Sequence, residues 1–178
     1  MKHIIIKLIA SISLQVCVIN PPALGANPGS TLKSKQIFKD CRLCPELVAI
    51  KPGTFIMGSN EGPKTHYPAH RVSIDYPFAI GRFEVTFKEW NYCVEKKACR
   101  HRPDDHKWGQ IKRPVINITW DQANIYLKWL SNHTKYKYRL PSESEWEYVA
   151  TCCGKYNYPW GNEMKPEYCN LNYMVKIK

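Results

Sequence analysis

The chain has 178 residues, a formal net charge of +11, and 44% hydrophobic and 23% charged residues. That length suits one domain with a packed core, and that balance excludes an intrinsically disordered chain. The lysines and arginines are scattered without a dense basic run, which argues against nucleic acid as a partner and for a basic exported protein.

Residues 1–26 read as an export signal peptide. "MKHIIIK" is a basic start, "LIASISLQVCVI" is apolar but too short to span a bilayer, and "PPALGA" puts Ala23, Gly25 and Ala26 near a cleavage point. A buried strand or a membrane anchor is the competing reading. Val16 disfavours a lipid anchor at Cys17, because a small residue is wanted there. Export places the chain in the periplasm or outside the cell, where disulfides persist, with no membrane segment after cleavage. Removing the signal takes away Lys2, Lys7 and Cys17, which leaves a charge of +9 and seven cysteines, an odd number.

Residues 27–40 are polar, contain Pro and Gly, and read as a linker, so the domain is expected to occupy 41–178. "ELVAIKPGTFIMGS" (46–59) predicts two short strands about Pro52-Gly53. "RVSIDYPFAIGRFEVT" (71–86) alternates through Val72, Ile74 and Tyr76, then predicts another strand at Phe78–Ile80.

Three helices share one starting device, a Ser or Thr followed three residues later by Glu or Gln. The pairs are Thr86 with Glu89, Thr119 with Gln122, and Ser142 with Glu145. In the second helix Ala123, Tyr126, Leu127 and Leu130 fall on one face; in the third, Trp146, Val149 and Ala150 make the apolar face. The loop 100–118 and the stretch after residue 151 are irregular. The prediction is an α+β fold with short elements and long loops, its core rich in aromatics.

Each candidate chemical group also has a plain structural role. "YRLPSESEWEY" (138–148) carries Glu143, Glu145 and Glu147. Glu143 and Glu147 share a face and Glu145 turns away, but one helical turn does not place two carboxylates across a cleft. Acidic residues in a first helical turn are expected from the helix dipole alone. His66 and His70 have ligand-like spacing, yet Pro63 and Pro68 break any helix that would align them. His101 and His106 with Asp104 and Asp105 read as a solvated loop more readily than as a metal site.

Cys41 and Cys44 form a lone C-x-x-C without the second pair of a zinc ribbon, and a structural disulfide is preferred, local or to another segment. Cys93 and Cys99 bracket the end of the first helix and are expected to close a small loop. Cys152 and Cys153 are adjacent and would pair with each other only under strain.

Five segments in order, "VAIKPGTFIMGS", "HRVSIDYPFAIGRFEVTFKEW", "RPVINITWDQANIYLKWLS", "YRLPSESEWEYVA" and "YPWGN", resemble the formylglycine-generating enzyme family, also called sulfatase-modifying factors. The resemblance runs from about Cys41 to Asn170. It implies a variant C-type lectin-like fold with little regular secondary structure. It also implies a copper-dependent enzyme that uses oxygen to convert a cysteine of an unfolded sulfatase to Cα-formylglycine. Relatives on this fold do other work, so resemblance alone does not fix the substrate.

The residues that carry over are few. Asn170 and Leu171 match the family's structural calcium ligands, but calcium takes ~6–8 oxygens. The family's "GN-V-W-E-W" and "R-G-G-S-W" segments, which surround its copper-binding cysteine pair, do not occur here. None of the eight cysteines matches a catalytic position. The expectation is a C-terminally truncated member with a missing copper site, an incomplete calcium site and no assigned catalytic residue. It would be inactive alone. The expected partner is an unfolded sulfatase or another exported polypeptide. The alternative is a non-catalytic exported binding module on the same scaffold.

Overall fold

The computed structural model describes residues 17–19, 35–107, 109–165 and 168. Among them the strands are β1 (Cys17–Ile19), β2 (Ile37–Phe38), β3 (Leu47–Ile50), β4 (Gly53–Met57), β5 (His70–Ile74), β6 (Phe78–Gly81) and β7 (Lys137–Arg139). The α-helices are α1 (Phe87–Glu95), α2 (Trp120–Thr134) and α3 (Glu143–Ala150). Strands in the order β2-β3-β6-β1-β7 form one sheet with antiparallel neighbours throughout. β4 and β5 form a separate antiparallel ribbon. The α+β class and the short elements agree with the sequence reading.

β6 organises the layers. All four of its residues are buried. Successive side chains of a strand point to opposite faces, so such a strand must be covered twice. Ala79 joins a cluster with Trp90 of α1 and Tyr126, Leu127 and Leu130 of α2. Phe78 and Ile80 join a second cluster with Phe55, Ile74 and Tyr148. Helices α1 and α2 therefore cover one face of the sheet, and the β4–β5 ribbon with α3 covers the other. The Pro52-Gly53 turn carries the chain between these layers. Both strands expected around it form, but they do not pair with each other: β3 pairs with β2 and β6, and β4 with β5.

The three capping boxes are present. Thr86, Thr119 and Ser142 each accept from the backbone N–H three residues on, and Glu89, Gln122 and Glu145 return the bond. These pairs satisfy donors that every helix start leaves open. In α2 the expected face is buried, namely Ala123, Tyr126, Leu127 and Leu130. In α3 it is not. Glu145, Glu147 and Tyr148 are buried, whereas Trp146, Val149 and Ala150 are half-buried. This helix meets β4 through Tyr148, whose ring lies 5.3 Å from that of Phe55, and this contact turns the acidic face inward.

Two boundaries differ from expectation. Residues 35–40, read as part of a linker, belong to the fold: β2 pairs with β3, Phe38 is buried, and the Tyr138 hydroxyl donates to the Asp40 carboxylate. Burial pushes the Asp40 carboxyl above its ordinary range, and this bond opposes the rise. Residues 17–19, inside the expected signal peptide, form β1 between β6 and β7. The polar composition of 27–40 concealed the first, and the apolar run suited both leader and strand for the second.

Disulfides Cys41–Cys44 and Cys93–Cys99 are closed, the second at the end of α1 as expected and the first in its local form. Cys152 and Cys153 are free.

Trp90 and Tyr126 stack at 5.5 Å between ring centroids, with planes 14° apart. Tyr126 is fully buried, and its hydroxyl has no hydrogen-bond partner among the described residues. An unpartnered buried hydroxyl costs about 1–3 kcal/mol. Tyr126→Phe keeps the stack and removes that cost, so its thermal midpoint is expected to equal or exceed that of the parent. Tyr126→Ala is expected to lose about 3–5 kcal/mol. Thermal melting followed by circular dichroism checks both, and a Phe variant melting several degrees lower would contradict the assignment.

Candidate functional site

The corner where α3 meets β7 and β4 gathers the groups that the sequence singled out. Ser142 Oγ accepts the Glu145 N–H at 3.2 Å, and the Glu145 carboxylate accepts the Ser142 N–H at 2.7 Å. The same carboxylate takes two N–H bonds from Arg139, at 2.6 and 2.5 Å, and the Tyr76 hydroxyl at 3.0 Å. Four donors therefore converge on two oxygens of a side chain that is 1% exposed. Burial pushes the Glu145 carboxyl up. The bonds from Arg139, Ser142 and Tyr76 outweigh it and hold the group at about 2 rather than 4.5.

Glu147 does different work. Its Oε1 accepts the N–H of Gly58 at 2.9 Å, which ties α3 to the end of β4 across 89 residues of chain. Gly58 has φ +80, and a Cβ there would lie 2.7 Å from the His66 carbonyl oxygen, so the position requires glycine. Glu143 is exposed in the first turn of α3, where the helix dipole favours it. The three glutamates are therefore a capping and pinning residue, a tether and a surface charge. Glu145 is ionised and fully bonded, so it neither holds a proton to give nor has a vacant lone pair to take one.

The histidine and aspartate readings resolve into loop bonds. His101 Nε2 lies 2.9 Å from the Asn117 carbonyl. Asp104 accepts the His106 N–H and Asp105 the Lys107 N–H. His66 sits in a 3-10 turn, Lys64–His66, and His70 opens β5 with Nδ1 2.9 Å from the Pro68 carbonyl. Among the described residues no three His, Cys, Asp or Glu side chains converge as a metal site.

Asn170 and Leu171 lie outside the described residues. Copper(I) calls for soft thiolates. Cys152 and Cys153, in the turn after α3, are free thiols, and Cys41, Cys44, Cys93 and Cys99 are closed in disulfides. The resemblance puts the copper pair well downstream of this turn, so these residues do not fit the implied copper site.

Sequence reasoning missed the burial of Glu145 and its bonds to Arg139 and Tyr76. The Arg-Leu-Pro entry puts Arg139 six residues before Glu145 on β7, and no helical periodicity relates the two. It also set aside Cys152 and Cys153, whose adjacency was the available signal.

A loop-rich α+β domain with these ordered segments and three capped helices defines a class, the sulfatase-modifying-factor-like domains. The sequence pattern of the sulfatase-modifying factor enzyme 1-like domain matches residues 33–175, and the chain belongs to that family. The structure is similar to that of PvdO from Pseudomonas aeruginosa, with a TM-score of 0.63 and 31% identity over 70% of this chain and 54% of that one. The sequence is 27% identical to the mouse inactive C-alpha-formylglycine-generating enzyme 2 over 71% of this chain and 54% of that protein. It is 28% identical to the serine/threonine-protein kinase pkn1 of Chlamydia caviae over 78% of this chain and 25% of that protein. The chain thus spans about half the length of two of these relatives and a quarter of the third.

The Arg139–Glu145 pair makes an acid prediction. A carboxyl whose folded value is depressed from 4.5 to about 2 stabilises the fold fully above pH 4.5 and loses that contribution as pH falls toward 2. Arg139→Leu leaves a buried unpaired carboxylate and is expected to cost about 3–5 kcal/mol at neutral pH. Protonating Glu145 relieves this variant, so its deficit should shrink in acid. Urea unfolding at pH 7 and pH 3 measures the difference, and an equal deficit at both values would remove Glu145 as the cause.

Proposed function

We propose that this chain is the polypeptide-engaging part of a sulfatase-modifying-factor domain. It would hold an extended segment of an exported protein, of the sulfatase class, without oxidising the cysteine itself. The observation that carries the reading is the placement of the motif side chains. The glutamates of "YRLPSESEWEY" hold the scaffold together, and the free thiols lie away from the positions the resemblance gives to copper. The name of one relative, a formylglycine-generating enzyme from Streptomyces coelicolor, supports the substrate class, and that of another, an inactive form from mouse, supports the absence of oxidation. The inactive relative favours a second reading, a binding module that never oxidised a substrate.

Export to the periplasm or beyond is part of the proposal. The closed disulfides Cys41–Cys44 and Cys93–Cys99 and the basic-then-apolar start support it.

A fluorescent unfolded sulfatase peptide containing its target cysteine, mixed with the purified chain and copper(I), tests the assignment. Saturable binding without aldehyde formation is expected, read by anisotropy and by hydrazide labelling. Aldehyde formation would overturn the non-oxidising part, and absence of binding would overturn the whole. Intact mass of the protein recovered from the exporting cell gives the mature N-terminus. A start near residue 27 is expected, and retention of residues 1–26 would remove the export reading.

A further inference from the structure

Once the buried carboxylates have their partners, the thiols of Cys152 and Cys153 remain as free nucleophiles among the residues whose side chains are described. Their backbone is unusual. Cys152 and Cys153 have φ of 52° and 65°, and Gly154 follows at 78°, three left-handed residues in a row. The turn is held on both sides. The Cys153 N–H donates to the Tyr148 carbonyl at 2.7 Å, and the Gly154 N–H to Thr151 Oγ1 at 3.0 Å. A Cβ on Gly154 would lie 2.6 Å from Phe55 Cβ, so the turn sits directly against β4.

The two sulfurs have different surroundings. Cys153 is exposed and lies beside the Tyr148 hydroxyl. Cys152 is half-buried, and its thiol donates to the Pro159 carbonyl at 3.4 Å. The Lys155 ammonium is within electrostatic reach of Cys152. Exposure and hydrogen bonding thus mark one sulfur to attack and the other to follow.

We propose that Cys152 and Cys153 form a thiol–disulfide exchange site for low-molecular-weight disulfides, with Cys153 attacking and Cys152 resolving. In the first step the Cys153 thiolate attacks one sulfur of the small disulfide. A protein–small-molecule disulfide forms, the small disulfide's S–S bond breaks, and one small thiolate leaves. In the second step Cys152, having lost its proton to solvent, attacks the Cys153 sulfur. The mixed disulfide breaks and a second small thiolate leaves. Overall, two protein thiols are oxidised to one vicinal disulfide, one small disulfide is reduced to two thiols, and the two protons end on those thiols. The ring that joins adjacent cysteines is strained, so the closed form should be easily reduced and the site reversible.

The test uses the full chain and oxidised glutathione as the probe, followed by quenching with an alkylating agent and peptide mapping. The parent is expected to show both thiols alkylated before oxidation. Afterwards it should show loss of two hydrogens from the 152–153 peptide without added mass, reversed by a mild thiol reductant. Cys152→Ser is expected to stop with one glutathione on Cys153. Cys153→Ser is expected to react more slowly by about tenfold, as loss of the accessible thiolate requires. Thermal melting of both variants, matched to the parent, shows that the fold persists. A stable glutathione adduct on the parent would overturn the proposal. So would a peptide linking either residue to Cys17 or Cys169 before oxidation, or a Cys153→Ser variant that reacts at the parent rate.

Discussion

A carboxylate taken out of water must be given donors, and the structure is arranged around one place where that happens. Glu145 is buried beneath α3 and receives bonds from Arg139 on β7, from the backbone at its own helix start, and from Tyr76 after β5. Each donor belongs to a different part of the chain, so these bonds fix the last strand of the sheet, the third helix and the β4–β5 ribbon relative to one another. Removing one donor would leave a charge in a medium that cannot solvate it, a far larger penalty than losing a surface ion pair. Arg82–Glu46 is such a surface pair, with the arginine side chain nearly half exposed, and it is replaceable in a way that Arg139–Glu145 is not.

The same helix carries a second tether and the thiol turn, so a short element governs several contacts. Glu147 reaches the backbone of Gly58, Tyr148 packs on Phe55, and the turn after Thr151 presses Gly154 against the same phenylalanine. Eight residues of helix could not hold themselves together in water. Their stability comes from these contacts, and among the described residues β4 has no strand neighbour except β5. Ribbon and helix therefore stabilise each other. Chemistry at Cys152 or Cys153 would act on the joint between them, and so on the layer that covers Phe78 and Ile80 of β6.

Local rules made a good part of this legible. Capping boxes at Thr86, Thr119 and Ser142 are contained within four residues, and the buried face of α2 follows from helical spacing alone. What could not be read came from partners distant in sequence. The apolar periodicity of α3 pointed to Trp146, yet the inward face is set by Arg139, Tyr76 and Gly58, which make acidic residues the better-satisfied choice there. Strands around Pro52-Gly53 were visible, but a turn signal does not say whether the flanking strands pair, and here they part into different layers. At the candidate site, the family motifs marked the scaffold and the adjacency of Cys152 and Cys153 marked the thiols. Only the fold distinguished one from the other, by showing which groups were already bonded.

Residues 17–19 show how one sequence pattern supports two physical readings. An apolar run preceded by lysines suits an export leader, and a short β-branched stretch suits a buried strand. In the fold, β1 supplies the pairing between β6 and β7, which do not pair with each other. Adjacent strands lie about 4.8 Å apart, so without β1 the two edges would face each other across roughly twice that distance, with their N–H and C=O groups unpaired. Loss of these three residues would open a slot one strand wide beside β6, all of whose residues are buried. The open edges of β6 and β7 could then be joined only by another extended segment that offers N–H and C=O groups to both.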